Sequence, residues 1–494
     1  MASQNSAGAV AVANVDLCIV GAGVAGLNAL AVATEYLDAG ARAALVDRRP
    51  DAGGMWNDTY SYVRLHQPYE FFTAGDIAWR LRRAPDYLAT KPEVLDHLRY
   101  CRDVLAERVA LDEYYGWTMD RFDEHADGVR VHLSDPAGGK LVLDTPILIN
   151  AYGFNVTPNQ PLALSSSQVK SVSPDFFDFS ENDFTDTNTP VWIIGGGKTA
   201  MDTAYLITTR NPGREVHLVA GAGTFFNNRE AAFPIGMRRW WAAKPASQVF
   251  SSFADMYDGT NDQQVTAAYR ARYGISPMPE SRRFLNGNLS PSECDAISAA
   301  LSGIVTDYLV DVVDRDGMPQ LVFRSHEEIP VVPGSWVVNC TGYLLREDST
   351  DGDPYVSKGG RVLTINTSSA TFQFSTYAAY FLTHLAFLGK LDSVPLYQTD
   401  LGVVARGHSQ AAVGVSCCLA MYNIGLIADE VPLKVLTNCG VDFDRWSRMP
   451  LRLASSTQFM LTHRRKRENY RRALDITSKR LGFSCGPLVG ATVS

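Results

Sequence analysis

No CxxC pair occurs in the chain, and none of its eight cysteines has the spacing of a zinc site. A dithiol relay therefore has no residues to work with, and no metal centre is expected. Cys417 and Cys418 are adjacent, a poor geometry for a structural disulfide, so reduced thiols in a cytoplasm are the expectation. Positive charge is also short. The formal net charge is −8, whereas a nucleic-acid partner wants a basic face. There is no GxSxG nucleophile elbow. The opening residues lack the basic start of a signal peptide, and no run approaches the length of a membrane span. A soluble cytoplasmic protein without a membrane partner is expected. The one basic stretch, Arg464 to Arg467 with Arg471 and Arg472, has Glu468 and Tyr470 interleaved and reads as a solvated helix face.

What the chain does have is length and glycine punctuation. At 494 residues it exceeds one ordinary core, so two or three domains are expected. The apolar run Val15–Val20 leads straight into Gly21, Gly23 and Gly26 as G-x-G-x-x-G, followed by a helical stretch and a second strand ending at Asp47. Each part has a mechanical reason. Gly21 permits a tight turn, Gly23 admits a pyrophosphate close to the backbone, and Gly26 lets helix and strand pack. The helix N-terminus offers free N–H groups to phosphate, and Asp47 can accept ribose hydroxyls.

Gly53-Gly54-Met55-Trp56 follows at once, and then Tyr60 to Pro68 (YSYVRLHQP). This segment resembles the GGxW element of flavin-containing and Baeyer–Villiger monooxygenases. The resemblance implies FAD at the first unit, with Gly54, Trp56 and the Arg64–Gln67 loop near the flavin. Arg64, His66 and Gln67 become the candidate catalytic residues, ahead of His384 and His408.

VWIIGGGKTAMDTAYLI repeats the pattern, with Gly195, Gly197 and Ala200 in the glycine positions and Lys198 and Thr199 opening the helix. Asp47 lies 26 residues past Gly21, and the same offset from Gly195 falls on Gly221. The acid that would hold an NAD ribose is missing, which removes repulsion of a 2′-phosphate and favours NADPH, with Lys198 or Arg229 reaching it. Two strand-then-glycine sequences, ILINAYG at 147–153 and VVNCTGY at 337–343, resemble the paired crossings of two-dinucleotide flavoproteins and add Thr341 and Gly342 to the cofactor set. The helix at about 408–419 is expected to present its N-terminus to the flavin.

The fold class expected is α/β, with two Rossmann-like dinucleotide-binding domains and a small helical insert. The FAD domain would take 12–185 and 337–494, including C-terminal helices. The NADPH domain would take 186–236 and 307–336, and the insert 237–306. Arginines crowd the insert's approaches. Arg238, Arg239, Arg282, Arg283 and Asn288 are the candidates for an entry lined to receive a small anion.

The stretch before the second glycine motif, FFDFSENDFTDTNTPVW, lacks the histidine and glycine of the FxGxxxHxxx(W/Y/F) fingerprint. That counts against the ketone-oxygenating branch. The whole pattern resembles the N-hydroxylating flavin monooxygenases, and among them the L-aspartate N-hydroxylases that form nitrosuccinate. The resemblance implies FAD, NADPH and O2 as reactants, an acidic amino acid as substrate, and a homodimer. A sulfide or ketone monooxygenase, or a reductase passing electrons to a protein partner, stays open as an alternative.

Overall fold

In the computed structural model the chain is described at residues 11–153, 156–278, 280–342, 356–366, 374–440 and 442–487. Two five-stranded parallel sheets organise it. In the first, Leu17–Val20 lies centrally, flanked by Leu148–Gly153 on one side and Arg42–Asp47 on the other. Val362–Asn366 and Ala110–Tyr115 complete the edges. In the second, Val191–Ile194 takes the central place, between Val216–Val219 and Trp336–Asn339, with Gly303–Val305 and Lys170–Val172 at the edges. All four residues of each central strand are buried, which is why both read as unbroken apolar runs and not as alternating ones.

Each sheet carries helices on one face and a sheet built on a three-stranded antiparallel meander on the other, Ala11–Asn14 adding a fourth, parallel strand in the first unit. The meanders are Thr118–Glu124, Val129–Ser134 and Lys140–Thr145 in the first unit. In the second they are Leu309–Arg315, Met318–Phe323 and Glu328–Pro330. The two units are thus built to one plan, and each has apolar clusters on both faces of its sheet.

The segment 237–306 is not helical throughout. Arg238–Trp241, Ala246–Met256 and Asp262–Tyr273 are helices, but Arg283–Leu289 is a strand pairing in parallel with Thr224–Asn228. Pro291–Ala300 packs on the helix Lys198–Arg210 and leads into an edge strand of the second sheet, so it serves the nucleotide unit. Ser290 and Glu293 cap it reciprocally, Glu293 N–H donating to Ser290 Oγ at 3.1 Å and Ser290 N–H to Glu293 Oε2 at 2.7 Å. The helices Ala246–Met256 and Asp262–Tyr273 pack instead against Ala412–Glu430.

That last helix corrects the expectation of no span-length segment. It has 19 residues and is apolar enough to cross a membrane, yet most of it is buried against neighbouring helices. The basic stretch lies within Met449–Leu481 and is more engaged than a solvated face. Arg464 and Arg467 both pair with Asp429, and Lys466 with Asp255. All eight cysteines are free thiols.

Candidate functional site

Both glycine turns close on the strand that returns from the meander. A Cβ on Gly21 would lie 2.4 Å from the Ala151 carbonyl oxygen, and one on Gly195 would lie 2.3 Å from that of Cys340. Gly21 at φ +114° and Gly195 at φ +133° occupy backbone that side chains avoid. In the first unit a second glycine faces the turn. A Cβ on Gly54 would come within 2.7 Å of Gly23 Cα, so the GGMW segment forms the other wall of the cradle. Helix Val24–Ala33 starts there, with no acidic side chain in its first turn to repel an anion. Asp47 is buried at the end of its strand, where Oδ2 accepts Ala22 N–H at 2.7 Å and Oδ1 accepts Arg49 N–H at 2.9 Å. A carboxylate fixed beside a glycine turn and a bare helix N-terminus fits an adenosine diphosphate. Trp56 stands edge-on to Phe72, with ring centroids 5.6 Å apart.

In the second unit the helix Lys198–Arg210 begins at Gly197, and strand Arg283–Leu289 passes over the turn, Leu285 Cδ2 lying 3.9 Å from a Cβ placed on Gly197. Ala200 is fully buried against the sheet, while Thr199 is half-buried and its carbonyl accepts the Thr203 hydroxyl. Thr341, exposed, bonds back to Asn339 Oδ1 through N–H and hydroxyl, with Gly342 next to it. Tyr343 lies outside the described residues.

Gly221 sits where the missing acid would be. Its φ is +58°, and Tyr308 Cε1 would be 2.8 Å from its Cβ. Arg324 stacks on the Tyr308 ring at 4.2 Å, and Arg283 approaches the same ring at 5.9 Å. This corner, two guanidinium groups around a phenol, was not visible in the sequence as a unit. Gly221, Arg283, Tyr308 and Arg324 come from separate strands and loops.

Lys198 and Arg229, the expected phosphate partners, each hold a carboxylate of the chain. The Lys198 ammonium is paired with Asp202 on its own helix, and Arg229 pairs with Glu293 at 2.8 Å. Arg229 also donates to the carbonyls of His66 (2.9 Å) and Asn288 (3.4 Å). Burial raises the Glu293 carboxyl, but Arg229, the Ser290 groups and Lys198 more than offset it and hold it below the usual range.

His66 lies at this junction of the two units, half-buried. Burial, then Lys198 and Arg229, push its imidazole down to about 3, so it is neutral at physiological pH. Gln67 is beside it, half-buried. Arg64 does not join them. It is exposed, bridges Thr90, and donates to the Leu88 carbonyl at 3.2 Å ahead of the helix Lys91–Ala106. His384 is buried in Ser375–Phe387 and bonded to the Tyr36 hydroxyl at 2.7 Å, a packing role.

The arginines expected to line one entry are in separate places. Arg238 is exposed and pairs with Glu230 at 3.4 Å. Arg239 stacks on Trp446 at 4.2 Å and donates to that residue's carbonyl. Arg282, exposed, offers its carbonyl to Gln410, while Arg283 belongs to the Gly221 corner. Asn288 contributes its backbone at the junction, opposite Asn227 in the strand pair. They are separated because each is held by a different partner, Arg239 by Trp446 and Arg283 by Tyr308.

A helix that the sequence did not single out lies beside the first cradle. Ser375–Phe387 packs along Val24–Ala33, and Ser375 Oγ lies 3.9 Å from a Cβ on Gly153. The segment 408–419, expected to face the flavin, covers a short turn and the start of the core helix Ala412–Glu430.

Neither a protein-family profile nor a curated protein sequence matches the chain. Solved structures do. An oxidized steroid monooxygenase bound to NADP superposes with a TM-score of 0.51 at 12% identity, covering 90% of this chain and 98% of the other. The chain shares that protein's fold. A Kutzneria ornithine N-hydroxylase, solved with reduced FAD, NADP+ and L-ornithine, gives a TM-score of 0.43 at 16% identity and covers 72% of this chain and 92% of its own. A bacillithiol disulfide reductase from Staphylococcus aureus gives 0.47 at 11% identity over 76% and 98%. At these identities the likeness concerns architecture alone.

Proposed function

We propose that the chain is a flavoprotein monooxygenase that holds FAD in the first cradle and NADPH in the second. The observation that carries this reading is the duplicated turn. Two glycine cradles of the same construction, one walled by Gly54 and ending in Asp47, the other ending in Gly221 without an acid, stand in one chain. The fold shared with an NADP-bound steroid monooxygenase supports a nicotinamide dinucleotide among the ligands. The flavin, when bound, supplies dioxygen activation and the nicotinamide supplies the reducing equivalents.

The protein's own part is placement. Gly23 and Gly54 let a pyrophosphate lie against the backbone, and Asp47 orients a ribose. Arg283 and Arg324 flank the place where a 2′-phosphate would project, which favours NADPH over NADH. His66, uncharged, stands with Gln67 where the two units meet. A neutral imidazole there offers one hydrogen-bond donor and one acceptor to an incoming amine without adding a positive charge.

The reaction is N-hydroxylation of a small amine. An amine, O2, NADPH and a proton give a hydroxylamine, NADP+ and water. L-aspartate, carried stepwise to nitrosuccinate, is the substrate we put forward. Its support is the resemblance to the N-hydroxylating enzymes and the absence of the ketone-oxygenating fingerprint over 176–192. A panel of acidic, basic and neutral amines, sulfides and ketones tests it. Aspartate should accelerate NADPH consumption and yield an N-oxidised product. A product from sulfides or ketones with none from amines would replace this substrate class.

A further inference from the structure

A single carboxylate joins the two units. Lys198 opens the helix of the second unit and its ammonium is paired with Asp202 Oδ1, both side chains largely buried. The other oxygen of that carboxylate, Oδ2, accepts the Tyr60 hydroxyl at 2.8 Å. Tyr60 is buried and belongs to the first unit, on the loop that runs from the GGMW segment to His66 and Gln67. Next to it Tyr62 bonds Thr203, one residue along the same helix, at 2.7 Å.

We propose that Tyr60 and Asp202 are positioning residues that transmit occupancy of the second glycine turn to the loop bearing His66. This inference rests on the reading of that turn as a dinucleotide site. A pyrophosphate at the start of the helix competes with Asp202 for the Lys198 ammonium. As Lys198 turns toward phosphate, Asp202 keeps its charge and its remaining strong donor is the Tyr60 phenol. An O–H donor to an ionised acceptor bonds more strongly than to a neutralised one. Binding at one unit therefore draws the loop of the other more firmly onto the helix, and the coupling must be reciprocal. Tyr62 provides a fixed anchor that does not depend on the charge of Asp202.

Hydrogen exchange on the FAD-loaded full chain tests this, with NADP+ as the probe. Saturating NADP+ should slow exchange across residues 57–67 by about fivefold or more in the unmodified protein. Tyr60→Phe should bind NADP+ within about threefold of the unmodified protein but show no slowing. Asp202→Asn approaches the same link from the other side and should also abolish it. Tyr62→Phe, which leaves both Asp202 partners in place, should retain it. Slowing in Tyr60→Phe and Asp202→Asn equal to that of the unmodified protein overturns the link while leaving the dinucleotide reading intact. Failure of the unmodified protein to bind NADP+ at all overturns both.

Discussion

The third position of the two glycine motifs offers the sharpest test of how the cradles are built. In the first unit a Cβ on Gly26 would lie 1.8 Å from the Gly21 carbonyl oxygen and 3.4 Å from Ala151 Cβ. Ordinary contact with a carbonyl oxygen needs more than 3 Å, so Gly26→Ala must push the helix off its strand by about an ångström or more. Residues Ala25 to Ala33 of that helix are all buried, so it cannot move without opening its packing. Overpacking of this kind costs about 3 kcal/mol, and the displaced turn no longer presents its N–H groups to a phosphate. In the second unit Ala200 already fills the equivalent place, fully buried. Ala200→Gly should cost only about 1 kcal/mol, the helix propensity of glycine. Flavin content after purification and the thermal midpoint read both effects. Gly26→Ala should lose flavin and several degrees, whereas Ala200→Gly should keep its flavin. Full flavin occupancy in Gly26→Ala with an unchanged midpoint would refute the geometry.

Asp47→Ala removes the acceptor of two backbone N–H groups as well as the ribose contact, and FAD affinity should fall about tenfold or more by equilibrium titration of stripped protein. The double change Arg283→Ser with Arg324→Ser should raise KM for NADPH about tenfold or more and leave KM for NADH near its starting value, because both guanidinium groups are partly solvated and contribute modestly each. For His66 the folded value lies below the free imidazole, so the unfolded chain binds the extra proton between about 3 and 6.5. Its contribution to stability is therefore complete above about 6.5 and is lost as pH falls toward about 3. His66→Asn should flatten the acid side of the midpoint-against-pH curve over that window. Glu293 behaves with the same sign. Held below its usual range, it stabilises above about 4.3 and loses its effect as pH drops further. Glu293→Gln should remove that segment of the curve and free Arg229.

The glycine turns, their strands and Asp47 were legible in the sequence because each requirement is local. A tight turn, a close backbone approach and a strand end are set within about thirty residues. The arginines were not. Whether Arg229 meets a phosphate or Glu293, and whether Arg283 faces an entry or Tyr308, depends on strand pairings between segments some 60 residues apart or more, such as Thr224–Asn228 with Arg283–Leu289. The strand character of 283–289 was masked by Asn and Gly at 286–288, which depress strand propensity and left the whole insert reading as helical. The helix Ser375–Phe387 has no side-chain cap at its start, so nothing local marks its place beside the first cradle. Tyr60 and Asp202 lie within the two motif segments, but nothing local marks them as a pair. Only their meeting across 142 residues reveals the shared carboxylate.

The most direct measurement is NADPH-driven turnover of the FAD-loaded protein under 18O2, with L-aspartate and the wider substrate panel, following NADPH, O2, hydrogen peroxide and product together. The prediction is one labelled oxygen in an N-oxidised product for each NADPH consumed in the first step, with little peroxide. Oxygen recovered wholly as peroxide with every substrate, accompanied by rapid reduction of a protein electron acceptor, would contradict it.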